Sequence, residues 1–283
     1  MLLFAIFFWG CRVKTYTVAW FSAGVSSAVA TKLAIAEIDE VIYTHIDDQH
    51  PDTMRFVKDC EAWFGKPVTV LQSRYRTVAA CWRASGLRRP TTPQGSPCTK
   101  WLKKRVRKEW EAEHEGVKLR YVWGMDAKED MRCERLRGAM PQQEHVFPLV
   151  QEKKAKQEAH EILRASGVKR PVPYDLGFHN NNCMGCLRGG RGYFNLIRKV
   201  WPDVFGERAA LEREIGGTIL KDAEGNPVWL DELDPQAGRH EGPICDDCGI
   251  MCELMALPPS GGDGMANAGI ERPMKPHKED GNV

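Results

Sequence analysis

Short apolar runs alternating with helix-period stretches fill residues 15 to 150, and this alternation leaves few architectures open to the chain. Thr17-Val18-Ala19-Trp20 reads as a strand, and the small residues Ser22-Ala23-Gly24-Val25-Ser26-Ser27-Ala28 that follow Phe21 form a tight loop. Val29 to Ile38 then carries a helical pattern. Val41 to Ile46 is a second strand, Asp52 to Phe64 a helix and Pro67 to Leu71 a third strand. After a helix over Lys100 to Glu115, Leu119 to Gly124 is a fourth strand and Glu144 to Leu149 a fifth. Strands separated by helices pair in parallel through right-handed crossovers, which predicts an α/β sheet covered on both faces. Ligands of such sheets gather at the C-terminal strand ends, where the Ser22 loop falls.

That loop suits an anion. Small residues let backbone N–H groups approach a phosphate, the following helix N-terminus adds a favourable dipole, and Ser22, Ser26 and Ser27 add hydroxyls. No Gly-Lys-Ser/Thr closes it, so it is not the common phosphate loop, and a plain strand-to-helix turn is the alternative.

Beyond residue 150 the pattern changes. Gln151 to Ser166 reads as a helix, and Pro171 to Tyr174 breaks the pattern. A cysteine-bearing loop follows, then helices near Phe194 to Val200 and Glu207 to Glu214. Residues 258–283 mix Gly, Pro, Met and charge without periodicity and read as a disordered tail. Residues 1–14 begin with an apolar stretch too short to span a bilayer and without a preceding basic residue; they read as a dispensable extension. A cytoplasmic protein with no membrane attachment is expected.

The net charge of +2 excludes a global field for polyanions. Local charge is less even. Lys100, Lys103, Lys104, Arg105, Arg107 and Lys108 form a basic run on the helix after Ser96. It suits either a solvated helix face or a grip on nucleotide phosphate or nucleic acid.

Cysteine usage points to a reducing compartment, because the thiols cluster as metal or redox groups do. Cys183-Met-Gly-Cys186 places two sulfurs on a tight turn. Cys98, at a helix start where the dipole lowers a thiol pKa, is the natural third ligand. Three sulfurs suit an iron–sulfur cluster with one open iron, whereas a fourth ligand would suit zinc. Cys245-Asp-Asp-Cys248 and Cys252 form a second group, either metal-binding with His240 or a mobile redox set. Asp47 and Asp48 end the second strand, where carboxylates suit a nucleotide's amine or hydroxyls, a metal, or merely a helix cap. Gly124 to Arg132 offers Glu129 and Arg132 for charge-assisted contacts on a loop at the ligand edge.

Taken in order from about Thr15 to Trp201, these motifs resemble the phosphoadenosine phosphosulfate (PAPS) reductase-like branch of the PP-loop, or adenine-nucleotide α-hydrolase, superfamily. Ser22-Ala23-Gly24-Val25-Ser26-Ser27 resembles its Ser-Gly-Gly-x-Asp-Ser loop, with Ala23 for one Gly and Ser26 for the Asp. Asp47 to Thr53 looks like its second motif. Cys98-Thr99 with Lys103 matches its Cys-Thr-x-x-x-Lys, Gly124 to Arg132 its Gly-x-x-x-x-Glu-x-x-Arg, and Cys183/Cys186 its late cysteine pair. The reductases' C-terminal Glu-Cys-Gly-x-His is approximated only by Asp247-Cys248-Gly249-Ile250-Met251.

The resemblance implies a Rossmann-like PP-loop domain over residues 15–215, a Cys-bearing extension over 216–257, and ATP or PAPS as the nucleotide. It implies nucleotide contacts at Ser22, Gly24, Ser26, Ser27, Asp47, Asp48, Gly124, Glu129 and Arg132. Cys98, Lys103 and Cys248 become the catalytic candidates, and Cys98, Cys183 and Cys186 the ligands of an iron–sulfur cluster or zinc. The reaction implied is adenylation with sulfur transfer or sulfonucleotide reduction, with a thiol reductant or sulfur donor as partner and a nucleic acid among the acceptors. Nucleotide binding without turnover, in a regulatory or nucleic-acid-associated module, is the alternative.

Overall fold

The computed structural model describes residues 15–90, 92 and 95–239. Cys11, His240, Cys245, Cys248 and Cys252, the 1–14 extension and the 258–283 tail lie outside the described residues, and so do residues 240–257 of the 216–257 cysteine-bearing extension.

Five parallel strands form the central sheet in the order β3-β2-β1-β4-β5: β1 Thr15–Phe21, β2 Glu40–His45, β3 Val68–Gln72, β4 Lys118–Val122 and β5 Glu144–Val146. The predicted parallel α/β architecture is therefore observed. Both faces are apolar, as a doubly covered parallel sheet requires. From β1 and β2, Ala19, Phe21, Val41 and Tyr43 enter one core, while Val18 and Ile42 enter the other. The first core is closed by α1 (Val25–Leu33), α2 (Asp52–Phe64) and α7 (Lys156–Ala165), through residues such as Val29, Phe56 and Leu163. The second is closed by Trp110 of α4 (Arg105–Glu113), against which Trp20 packs edge-on.

Several boundaries differ from the sequence reading for identifiable reasons. The helix after β1 starts at Val25 and stops at Leu33, and Ile35–Glu37 continues as a 3-10 turn. Pro148 starts a helix rather than ending a strand, because Pro fits the first helical turn, which gives the short α6 (Pro148–Gln151). Lys153, at φ 55°, separates α6 from α7, so the single helix expected over 151–166 is two. The helix expected from Lys100 is a π-helical segment, Thr99–Lys104, running into α4. Pro171 to Tyr174 does not merely break the pattern: Val172–Asp175 is a helical turn, α8. Two further helices, α3 (Val78–Ser85) and α5 (Asp130–Ala139), fill stretches left without an element.

The C-terminal half adds α9 (Arg191–Val200) and α10 (Pro202–Ile215). A small hairpin, β6 (Leu220–Lys221) with β7 (Pro227–Val228), follows them. Leu220, Leu230 and Leu233 pack with Phe194 in one cluster, so residues 216–239 close over the last helices rather than standing apart. Among the described residues no helix is long and apolar enough to cross a membrane.

One core group is out of place chemically. His160 of α7 is 2% exposed, and neither ring nitrogen has a hydrogen-bond partner among the described residues. Burial depresses its pKa from 6.5 to about 3, helped by the positive charges of Arg170, Lys156 and His179. The fold therefore holds the neutral imidazole. Its contribution is complete above the unfolded value and is lost as pH falls toward the folded one, about 3 kcal/mol by pH ~4. His160→Leu removes no hydrogen bond and should lie within about 1.5 kcal/mol of the parent near neutrality. Urea unfolding of both proteins from neutral pH down should show the variant gaining on the parent with acid; parallel pH profiles would refute this account.

Candidate functional site

The strand order places a topological switch point between β1 and β4, where ligand crevices form in such sheets. Two loops leave it, Ser22–Gly24 from β1 and Trp123–Glu129 from β4. They meet closely. A Cβ on Gly124 would stand 2.2 Å from the Ser27 Cα and 2.6 Å from its backbone nitrogen, so only glycine lets β4 lie against the start of α1.

The first loop gathers donors on one point. The Ser27 hydroxyl lies 3.2 Å from the Ser22 and Gly24 backbone nitrogens and 3.0 Å from the Ser22 hydroxyl, and it donates to the Gly24 carbonyl. One oxygen thus sits where two N–H groups and a hydroxyl converge, the arrangement that receives an anion's oxygen. The first turn of α1 holds no acidic residue, which leaves its positive end uncompensated. Ala23, where the resembling motif has Gly, adopts φ 56° and is fully buried. A left-handed alanine is strained by about 1 kcal/mol or more, and the loop keeps that shape because it is held from outside. Asn181 donates to the Ala23 carbonyl at 2.8 Å and bonds Thr53 of α2, and the Tyr174 hydroxyl accepts from the Val25 N–H at 3.3 Å. Ser22 is exposed at the rim; Gly24 and Ser26 are half-buried.

Asn181 begins the cysteine loop, so the same contacts bring Cys183 and Cys186 toward this edge. Their turn is shaped by Tyr193, whose hydroxyl donates to the Cys183 carbonyl (2.8 Å) and accepts from the Cys186 N–H (3.1 Å). It is also shaped by Gly185 at φ 66°, where a Cβ would meet the Arg208 side chain at 2.8 Å. Cys98, directly before the π-helical segment, packs with Cys183 against the cluster of Ile46, Val78, Trp82, Leu102 and Leu187. Burial pushes the Cys183 thiol up to about 12, against the pull of Lys103, and Cys186, Asp48 and Cys98 raise it further. Burial and then Cys186 raise Cys98, and Lys103 again pulls the other way. Cys98, Cys183, Cys186 and Lys103 therefore share one electrostatic neighbourhood. Three soft sulfur donors suit zinc or an iron–sulfur cluster chemically. Among the described residues, however, no three His, Cys, Asp or Glu side chains are drawn together as a metal-holding group.

The two aspartates after β2 do different work. Asp48 is almost buried and paired with Arg208, itself 5% exposed, and it accepts from the Val78 N–H at 2.6 Å as α3 begins. Arg208 also donates to the Gly185 and Met184 carbonyls, and the Met184 N–H donates to the Asp48 carbonyl at 2.7 Å. Asp48 thus ties the cysteine turn to the sheet. Asp47 lies at the surface with Arg76 and Gln72, and the Arg76 guanidinium holds its carboxyl below the ordinary range. Beyond Gly124, Glu129 precedes α5 and accepts from the Asp126 N–H, while Arg132, well exposed, pairs with Glu129. Sequence reasoning missed Tyr174, Tyr193 and Arg208. Tyr174 lay in a segment read only as a break, Tyr193 acts through its hydroxyl on the backbone of the cysteine turn just before it, and Arg208 acts on an aspartate far away in the chain.

This division of labour is measurable. Asp48→Ala leaves a buried guanidinium unpaired and should cost about 3–5 kcal/mol in urea unfolding. Asp47→Ala should cost under about 1 kcal/mol, as exposed pairs do. Equal losses would refute the assignment.

No protein-family model matches this chain, and no curated protein matches it as a relative.

Proposed function

We propose that this chain is an adenine-nucleotide-binding enzyme similar to PAPS reductases, acting at the nucleotide's α-phosphate or at its sulfonate sulfur. The observation that carries the reading is the convergence of the Ser22 and Gly24 N–H groups and the Ser22 hydroxyl at the start of α1. The switch point and the neighbouring thiols support it.

In this reading the phosphates bind over Ser22–Ser27, with an anionic oxygen replacing or extending the Ser27 contacts, and the helix dipole and Lys103 offset charge that develops there. Arg132 contributes by exchanging Glu129 for phosphate. In the adenylating version an acceptor oxygen bonds to the α-phosphorus and pyrophosphate leaves; a sulfur nucleophile then displaces AMP. In the reducing version a thiolate bonds to the sulfonate sulfur, the nucleoside bisphosphate leaves, and a second thiol releases sulfite as a disulfide forms. Cys98, Cys183 and Cys186 are the residues that would hold zinc or an iron–sulfur cluster. Such a group, when bound, supplies structural closure or an open iron for sulfur.

Binding without turnover is the second reading, favoured by Ser26 standing where the resembling loop carries a carboxylate. Calorimetric titration of anaerobically purified, reduced protein with ATP and with PAPS tests the first. One of the two should bind, and Gly24→Val should weaken that binding at least about tenfold, because every 1.4 kcal/mol is tenfold. A Cβ fits beside Gly24, 3.4 Å from the Tyr174 hydroxyl, so the loop is obstructed without forcing the fold apart. Failure of both nucleotides, or undiminished binding by the variant, would overturn the proposal. Turnover by the parent protein separates the two readings.

A further inference from the structure

Beside the candidate site lies a surface that the nucleotide reading does not use. Tyr75 and Trp101 stack with ring centroids 4.7 Å apart and 19° between planes, and the exposed Arg74 lays its guanidinium over Tyr75 at 4.9 Å. The stack is half-buried and rests on the same apolar cluster as Cys98 and Cys183. Lys100 adjoins Trp101, and Lys100, Lys104 and Lys108 recur every four residues along one side of the π segment and α4. All three are exposed and form no ion pair among the described residues, whereas Arg105 and Arg107 are paired with Glu109 and Glu111. Like charges at this spacing repel by a few tenths of a kcal/mol per pair, so the row detracts from folding and is not a balanced solvated face.

We infer that Arg74, Tyr75, Trp101, Lys100, Lys104 and Lys108 form a docking surface for single-stranded nucleic acid. The lysine row meets the backbone phosphates, and the guanidinium-capped aromatic stack meets an unpaired base. A duplex hides its base faces, and an acidic peptide has no use for the stack; the combination selects a strand with free bases. Binding itself is independent of the nucleotide reading. That the strand is the acceptor, brought beside Cys98, rests on that reading.

Fluorescence anisotropy of the full chain with labelled oligouridylate and oligothymidylate tests the inference, with duplex DNA, heparin and polyglutamate as competitors. One or both oligonucleotides should bind, with affinity falling steeply as salt rises, and the preferred sugar identifies RNA or DNA. Lys104→Glu with Lys108→Glu should weaken binding at least about tenfold and flatten the salt slope. Arg74→Lys, which keeps the charge but loses the plane, should still weaken it several-fold. Both variants should keep the parent's circular dichroism and its ATP and PAPS titrations. No binding, equal competition by heparin or duplex, or indifference to Arg74→Lys would overturn the inference. Loss of nucleotide binding with retained oligonucleotide binding would instead count against the proposed enzyme alone.

Discussion

The cysteine turn and α10 are tied to the sheet edge through a buried cation. Arg208 reaches from α10 to the Asp48 carboxylate in the loop after β2 and to two carbonyls of the cysteine turn. Removing such a group from water costs several kcal/mol unless charge and hydrogen bonds replace the lost hydration. Here Asp48 supplies the charge and Gly185 and Met184 supply acceptors, so the turn bearing Cys183 and Cys186 is held by the guanidinium's need for partners. The turn has little local regular structure to hold it otherwise, lying between α8 and α9. Its position relative to the Ser22 loop follows from that pairing together with Asn181 and Tyr174.

Those contacts explain how an alanine survives at φ 56°. In isolation the β1–α1 connection would favour glycine there. The bond from Asn181 to the Ala23 carbonyl and the bond from Val25 to Tyr174 fix the two peptides that follow Ala23, and its methyl is buried in the core. Strain persists where surrounding structure over-determines the backbone. The loop and the cysteine turn are in that sense one unit: what displaces Asn181 releases both.

The alternation of residues 15 to 150 made the sheet legible, because short apolar runs spaced by helix-period stretches have few other uses, and α2 was read to the residue from its helical pattern. The helices α3 and α5 were not legible. In α5 only Cys133 is buried, so it carries almost no apolar stripe to read. The candidate loop was visible through its small residues, and the cysteines through their spacing. What the spacing could not show is which carboxylate faces inward. Asp47 and Asp48 are equivalent in sequence, and the difference is made by an arginine 160 residues away. Nor does any pattern announce the π segment, which turns Trp101 onto Tyr75.

Lys103 has more claims on it than it can meet at once. It is the cation that pulls the Cys98 and Cys183 thiols toward ionisation against burial. It is also the nearest match to the phosphate-balancing lysine of the resembling family. If phosphates engage it as proposed, its field on the sulfurs is partly cancelled, and both thiols are pushed further toward the protonated, unreactive form. Nucleotide binding and thiolate formation then oppose each other through one ammonium. The order that avoids the conflict is phosphate departure before sulfur attack, as when pyrophosphate leaves ahead of the sulfur step. Within the proposed function the adenylating version follows that order, whereas direct attack on a bound sulfonucleotide needs phosphate and thiolate present together. A nucleophile outside this neighbourhood, such as Cys248, would escape the constraint, so the electrostatics bear on the roles of Cys98 and Cys183 and on those two alone.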